Sequence, residues 1–389
     1  MTVNSTVEET MTASERPGLL YIVNSLNPGG TERLVIDMAR AFSGEYRVCV
    51  ICLDEPGVWA AELRRPGVSV YCLWRQPGLD LSMPAKIARI MREHGTSIVH
   101  AHQCTPWFYG ALSRLLHRQS RVLLEEHGRF YPEADRPLRR LVNRAVIIPL
   151  SHRFVAVSAD VRQRLERYEG VDARRIEVIY NGVNSEPVLE DEERQRLRRE
   201  LGFETEAFVV GTVGRFDPIK NLPLLVESVA RACQEERRIC GLLVGDGPEF
   251  AAIQALVVRL GLSERVRLAG FRGDARRLVQ CLDLFVLASF SEGISMALLE
   301  AVSAGVPAAV TRVGGNPEVV LAGETGWVVP SEDAAALSSA MVTAARDPML
   351  CGRYAGAGRR RFQELFTFVG MIERYRALYR SLKAAGSPA

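Results

Sequence analysis

Four short stretches carry residue types whose spacing can do chemistry. The first is Asn27-Pro-Gly29-Gly30-Thr-Glu32, just ahead of an amphipathic run. Paired glycines let backbone approach a ligand closely, and the following helix turns its N-terminus towards an anion. Gly-Gly also makes an ordinary tight turn, and the stretch is not G-x-G-x-x-G, so a dinucleotide fingerprint is absent. The second is Gly211-Thr-Val-Gly214-Arg215-Phe-Asp-Pro-Ile-Lys220-Asn221. Arg215 as a fork and Lys220 as a point charge can converge on a diphosphate, the alternative being two solvated surface cations. Lysine is scarce in this chain: only Lys86, Lys220 and Lys383 interrupt an arginine background. The third runs from Ser289 through Glu292, Gly293, Ile294 and Ser295 to Glu300. Glu292 falls in a loop, and Gly293 to Ser295 can present backbone N–H groups to a phosphate or to sugar hydroxyls. Glu300 interrupts an apolar helix, where a carboxylate needs a hydrogen-bond partner: a ribose diol, or a donor from the protein itself. The fourth is Leu124-Glu-Glu-His127-Gly-Arg129. His127 is either a structural imidazole or a group at the end of a strand, where ligands bind.

His100, His102 and His127 suggest a metal cluster, but no carboxylate or cysteine at ligand spacing is evident, so no metal is expected. Cys49 and Cys52 form the sole C-x-x-C among 8 cysteines. Three residues apart on a strand they face opposite sides, which reads as core packing in a reducing cytoplasm.

These loops need a scaffold. Hydrophobic residues make up 47% and charged residues 24% of 389, enough for full cores, and at roughly 150 residues per domain the length suggests two domains. The net charge of +3 speaks against a nucleic-acid partner. No apolar run reaches the ~18 residues needed to span a bilayer. Apolar strand candidates at 19–26, 48–53, 68–73, 98–102, 122–126, 154–157 and 177–179 alternate with helical patterns. A second series follows at 208–213, 239–244, 266–268, 284–287 and 308–311. This alternation predicts an α/β fold of two doubly wound, Rossmann-like domains with parallel sheets. Residues 1–17 are expected to be a disordered leader, 18–184 the first domain and 185–367 the second, with a last helix over 368–384.

Glu292-x7-Glu300, Gly214-Arg215 with Lys220, and Gly29-Gly30 together resemble the large family four of retaining glycosyltransferases (glycosyl transferases group 1) with the GT-B fold. Asn181-Gly-Val-Asn184, Gly245-Asp-Gly-Pro-Glu249, Gly314-Gly-Asn-Pro-Glu318 and Thr325-Gly-Trp-Val-Val329 add to the likeness, which covers about 18 to 384. The resemblance implies a central cleft between a first, acceptor-binding domain and a second, nucleotide-sugar-binding domain, with the last helix packed back on the first. It implies that Arg215 and Lys220 bind the donor diphosphate and that Glu300 holds the ribose. Glu292 and the backbone of Gly293, Ile294 and Ser295 would hold the sugar, Phe271 and Arg272 would meet the base, Gly29 and Gly30 would approach the donor phosphate or the acceptor, and Gly214 would approach the donor. His127 would line the reaction centre. Ile294-Ser295-Met296 departs from the Gly- or Pro-containing stretch of many relatives, which leaves the sugar open.

The implied reaction is transfer from a UDP- or GDP-sugar, used as a co-substrate without a metal cofactor, to a saccharide or lipid-linked acceptor in exopolysaccharide or lipopolysaccharide assembly. Rival readings are a sugar-nucleotide epimerase of the same fold and a non-catalytic sugar-nucleotide-binding scaffold. Arg136, Arg139, Arg140, Arg144 and Arg153 lie in or beside a helix with Leu138, Leu141, Val142, Val146 and Ile147. That helix is either a solvated face packed on its sheet or a contact with anionic lipid, placing the protein in the cytoplasm, at the inner face of the membrane.

Overall fold

The computed structural model describes residues 16–128 and 136–384. Most of the leader expected at 1–17 therefore lies outside the described residues, but Arg16 and Pro17 are tied to the domain. Their carbonyls accept from Arg47 Nε and Arg47 N, at 3.1 and 3.0 Å.

The first half contains β1 (Gly18–Val23), α1 (Gly30–Phe42), β2 (Arg47–Cys52), β3 (Val68–Cys72), α2 (Met83–Glu93), β4 (Thr96–His102), α3 (Cys104–Ser113), β5 (Arg121–Glu126), α4 (Pro137–Val142), β6 (Arg153–Ala156), α5 (Ala159–Arg164) and β7 (Ile176–Val178). Its 7-stranded sheet runs β3-β2-β1-β4-β5-β6-β7, every described pairing parallel. Parallel strands are covered on both faces, which is why they read as continuous apolar runs. In β1, Leu19, Tyr21 and Val23 join the core under α1, while Leu20 and Ile22 join the core on the other face. Cys49 and Cys52 divide between the same two cores, and both are free thiols.

The second half contains α6 (Asp191–Glu200), β8 (Phe208–Val213), α7 (Leu222–Glu235), β9 (Ile239–Val244), α8 (Phe250–Arg259), β10 (Val266–Leu268), α9 (Ala275–Val279), β11 (Leu284–Leu287), α10 (Met296–Ser303), β12 (Ala308–Thr311), α11 (Asn316–Val319), β13 (Gly326–Val329), α12 (Ala334–Arg346) and α13 (Pro348–Leu365). The 6-stranded sheet runs β10-β9-β8-β11-β12-β13. The sequence reading missed β13. It is an edge strand of four residues whose Trp327 and Val328 are only half-buried, too short to show a period.

The chain crosses between the halves twice at one place. Val183 N donates to Phe366 O at 3.1 Å, and Phe368 N donates to Val183 O at 3.0 Å. Beyond this crossing α14 (Phe368–Ala384) lies on the first sheet, burying Met371, Ile372, Tyr375, Leu378, Tyr379 and Leu382. Each fully buried side chain of this size contributes roughly 1.5–3 kcal/mol, enough to hold the helix there.

Candidate active site

Strand order reverses between β1 and β4 in the first sheet and between β8 and β11 in the second. A crevice opens at the carboxyl end of the strands at each such point. Three of the four loops singled out in the sequence leave these strands, and the fourth leaves β5, beside β4.

On the second sheet, β8 ends at Val213 and the chain passes through a single 3-10 turn, Pro218–Lys220. That turn is hooked to the neighbouring loop by Phe290 N, which donates to Ile219 O at 2.8 Å. The hook brings Lys220 Nζ to 2.7 Å from Glu292 Oε1, which also accepts from Ser289 Oγ at 2.6 Å. Glu292 is nearly buried, so its charge is matched by Lys220 rather than by water. Arg215 is more exposed and pairs with Asp217, Nε to Oδ2 at 3.0 Å. Gly214, Arg215 and Lys220 line one pocket, with Thr212 and Ala288.

Past Glu292 the chain turns inward to meet the first half. A Cβ on Gly293 would stand 2.2 Å from His127 O, and one on Gly128 2.9 Å from Gly293 Cα. Gly128 also has φ +86, so glycine is required on both sides of this seam. Asn181 Nδ2 donates to Ile294 O at 3.4 Å, and the buried Ser295 caps α10, its Oγ accepting from Leu298 N. Gly30 lies against Met296 at the start of α10, so the Gly29-Gly30 loop faces the second domain.

Glu300 has a protein donor: Arg276 Nε, at 2.8 Å from Oε1. Arg276 in turn reaches Glu186 Oε1 at 3.3 Å. Burial pushes the Glu300 carboxyl above its ordinary range, against the pull of Arg276 and of Arg33 from the first half. Phe271 and Arg272 sit at the rim beyond β10. Phe271 is exposed, and Arg272 is paired to Asp274 through two contacts of 2.8 Å.

His127 is almost buried, with Nε2 at 3.0 Å from His102 Nδ1. The preceding Glu126 shapes the loop, Oε1 accepting from His127 N and Gly128 N. The carboxylate that sequence spacing does not reveal near these histidines is supplied by the fold. A carboxylate does stand beside the histidines: Glu125 Oε2 lies 2.9 Å from His100 Nε2 and 3.5 Å from His102 Nδ1. Strand pairing places it there, because β5 lies next to β4 with Glu125 opposite His102. Sequence spacing carries no signal of this.

The arginine-rich helix also differs from its bland reading. Leu138 and Leu141 are 74% and 63% exposed and Val142 and Val146 are partly exposed, so they do not pack on the sheet. Asn143 and Ile147 face inward instead. Arg139 is held by Glu169 at 2.7 Å, and Arg140 donates to Arg167 O at 3.1 Å.

The Gly314-Gly-Asn-Pro-Glu318 motif does not by itself mark Glu318 as a site residue. Its carboxylate crosses to the first half, accepting from Ala159 N at 2.9 Å, Asp160 N at 3.2 Å and Tyr180 Oη at 3.0 Å.

Two facing parallel-sheet domains of this kind define the GT-B architecture. HepE of Anabaena, solved in complex with UDP and glucose, superimposes with a TM-score of 0.82 at 23% identity, covering 94% of this chain and 100% of that one. Residues 28–187 match the model for glycosyltransferase family 4, and residues 207–347 match that for glycosyl transferases group 1. The chain belongs to this glycosyltransferase family. The N-acetyl-alpha-D-glucosaminyl L-malate synthase of Bacillus anthracis is 27% identical over 80% of this chain and 82% of its own. The UDP-Gal:alpha-D-GlcNAc-diphosphoundecaprenol alpha-1,3-galactosyltransferase of Escherichia coli is 26% identical over 70% and 72%.

Proposed function

We propose that this glycosyltransferase moves a sugar from a UDP- or GDP-sugar to a hydroxyl of a lipid-linked or growing saccharide in cell-surface polysaccharide assembly, with retention at the anomeric carbon. The observation that carries the reading is the pairing of Lys220 with Glu292 beside the Arg215 pocket, on a loop whose Gly293 and Met296 meet His127 and Gly30 of the other domain. The relatives' names, with a UDP-sugar donor and a diphosphoundecaprenol acceptor, support the substrate class.

In this reading the second domain holds the donor. Lys220 and Arg215 neutralise the charge developing on the leaving diphosphate, so no metal is called for. Glu300 holds the ribose through the oxygen Arg276 leaves free, the rim at Phe271 and Arg272 meets the base, and Glu292 with Gly293, Ile294 and Ser295 meets the sugar. On the front face the C1–O bond to the β-phosphate breaks as the acceptor oxygen bonds to C1, and the acceptor proton passes to the departing phosphate. The closed glycine seam keeps water from the reacting carbon.

The acceptor's lipid would lie along α4, where Leu138 and Leu141 stand out beside Arg136 and Arg144. No helix among the described residues is long and apolar enough to cross a membrane, so this face would bind at the surface of the inner leaflet.

The decisive experiment incubates the protein with a panel of nucleotide sugars and acceptors and reads the product's anomeric configuration by NMR, with and without chelator. A retained linkage formed in chelator is expected. An inverted product, or activity restored only by magnesium, overturns the corresponding part. Conversion of the nucleotide sugar without acceptor would identify an epimerase, and binding without turnover a sensor. Co-sedimentation with anionic liposomes at low salt is expected, and its failure rules out the membrane contact.

A further inference from the structure

Behind His127 lies a buried polar cluster that the donor site does not use. His100 and His102 from β4 are stacked with ring centroids 4.2 Å apart, and neither is exposed. Glu125 from β5 lies beside all three imidazoles, with Oε1 at 3.6 Å from His127 Nε2. Tyr21 from β1 and Tyr375 and Tyr379 from α14 close the cluster, and all are buried. Tyr379 Oη lies 2.7 Å from His100 Nδ1 and 3.3 Å from Tyr21 Oη.

The protons of this cluster can be placed by counting donors. The Glu125 carboxylate, 2.9 Å from His100 Nε2, draws the His100 proton to that nitrogen and leaves Nδ1 to accept from Tyr379 Oη at 2.7 Å. His102 has two nitrogens in different settings. Nε2 is buried with no partner among the described residues. Nδ1 faces both Glu125 Oε2 at 3.5 Å and His127 Nε2 at 3.0 Å. A buried N–H without an acceptor costs more than a bare lone pair, and a carboxylate beside Nδ1 draws the proton to it. Burial, with His100 and His127 nearby, keeps the ring well below the usual imidazole range, so it carries one proton.

We propose that His102 is a positioning residue: its Nδ1–H donates to His127 Nε2 and so fixes His127 as the Nδ1–H tautomer. The carboxylate of Glu125 lies beside His102 Nδ1 and His100 Nε2, and Tyr379 of the C-terminal helix reaches His100 Nδ1. A neutral His127 that accepts at Nε2 has its single proton on Nδ1, and that is the one N–H it can offer a sugar hydroxyl. The catalytic consequence rests on the reading of His127 as a lining of the reaction centre. The tautomer itself does not.

The test uses the full chain labelled with 15N-histidine. Long-range proton–nitrogen correlation near neutral pH, with His127 assigned by its loss in His127→Gln, should show His127 protonated on Nδ1 alone. His102→Leu should mix the two tautomers and lower kcat about 10–100-fold, with KM for the nucleotide sugar within about twofold. His102→Asn keeps an N–H near the Nδ1 position and should recover most of the rate. A wild-type His127 protonated on Nε2 overturns the assignment, even if the Leu variant fails to fold. So does a stoichiometric metal bound by His102 and Glu125 in the purified protein. A correct tautomer with full transfer by His127→Gln would uphold the relay and sink the reading of His127.

Discussion

Lys220 and Glu292 illustrate how a charged pair can be stable and still available. At 2.7 Å they neutralise each other in a mostly buried setting, yet Lys220 stays on the wall of the pocket shared with Arg215. In the proposed reading an incoming diphosphate would share Lys220 with Glu292 without leaving a bare charge behind. Lys220→Ala removes the cation and strands the carboxylate, so transfer should fall by about 100-fold or more. Circular dichroism should show the fold intact, and full activity would sink the assignment. Glu300 gives a pH test. Its carboxyl is raised by burial, so on acidification it takes a proton before an ordinary glutamate does. If the ionised form holds the ribose, UDP affinity should begin to fall above the usual carboxylate pKa of about 4.3. Calorimetric titration of Glu300→Gln should show weaker binding without that acid limb.

Among the elements, α14 is the one whose place could not be read from its neighbours in the chain. It follows the second domain yet completes the core of the first, with Tyr379 fully buried beside Phe42 and Tyr46 and Tyr375 buried beside His100. Tyr379→Ala leaves a large cavity there and should cost about 3–5 kcal/mol in denaturant unfolding. The destabilised unit should be the first domain, followed by hydrogen exchange in β1 and β4. The turn into β6 carries a different liability. Burial, together with Arg114, Arg121 and Arg153, depresses His152 to about 4. Because the unfolded ring titrates near 6.5, the unfolded chain binds more protons between those values. This contribution is present above the unfolded pKa and lost as pH falls towards 4. The melting temperature should therefore drop over that window, and His152→Leu should flatten the slope.

For the molecule as a whole, the question is what joins two domains that each have their own sheet. The two linkers cross at an isolated bridge of Val183 with Phe366 and Phe368, and the glycine seam at Gly128 and Gly293 lets the backbones touch. Glu318 adds a polar clasp, its carboxylate accepting two backbone N–H groups at the start of α5 and the Tyr180 hydroxyl. Hydrogen bonds to a charged group contribute roughly 1.5–3 kcal/mol each at most, and this clasp spans the two halves. Glu318→Ala should loosen them, seen as a larger radius of gyration in solution scattering and as faster proteolysis between the domains. An unchanged scattering profile would show that the seam and the linker suffice.

Strand and helix periods are local, so the two series of alternating elements were legible without a structure, as were the loops at Gly29, Arg215, Glu292 and His127. Buried parallel strands announce themselves as apolar runs, and breaks in those runs mark the loops that hold polar groups. What the chain could not declare is which of those groups are neighbours. The Glu125 carboxylate meets His102 because β5 lies beside β4, Glu318 meets Asp160 of α5 at a sequence separation of 158, and Leu138 and Leu141 turn outward because other residues occupy the core face. Pairings of that kind depend on strand order, domain approach and the competition for buried surface, and these are settled only when the whole chain is folded.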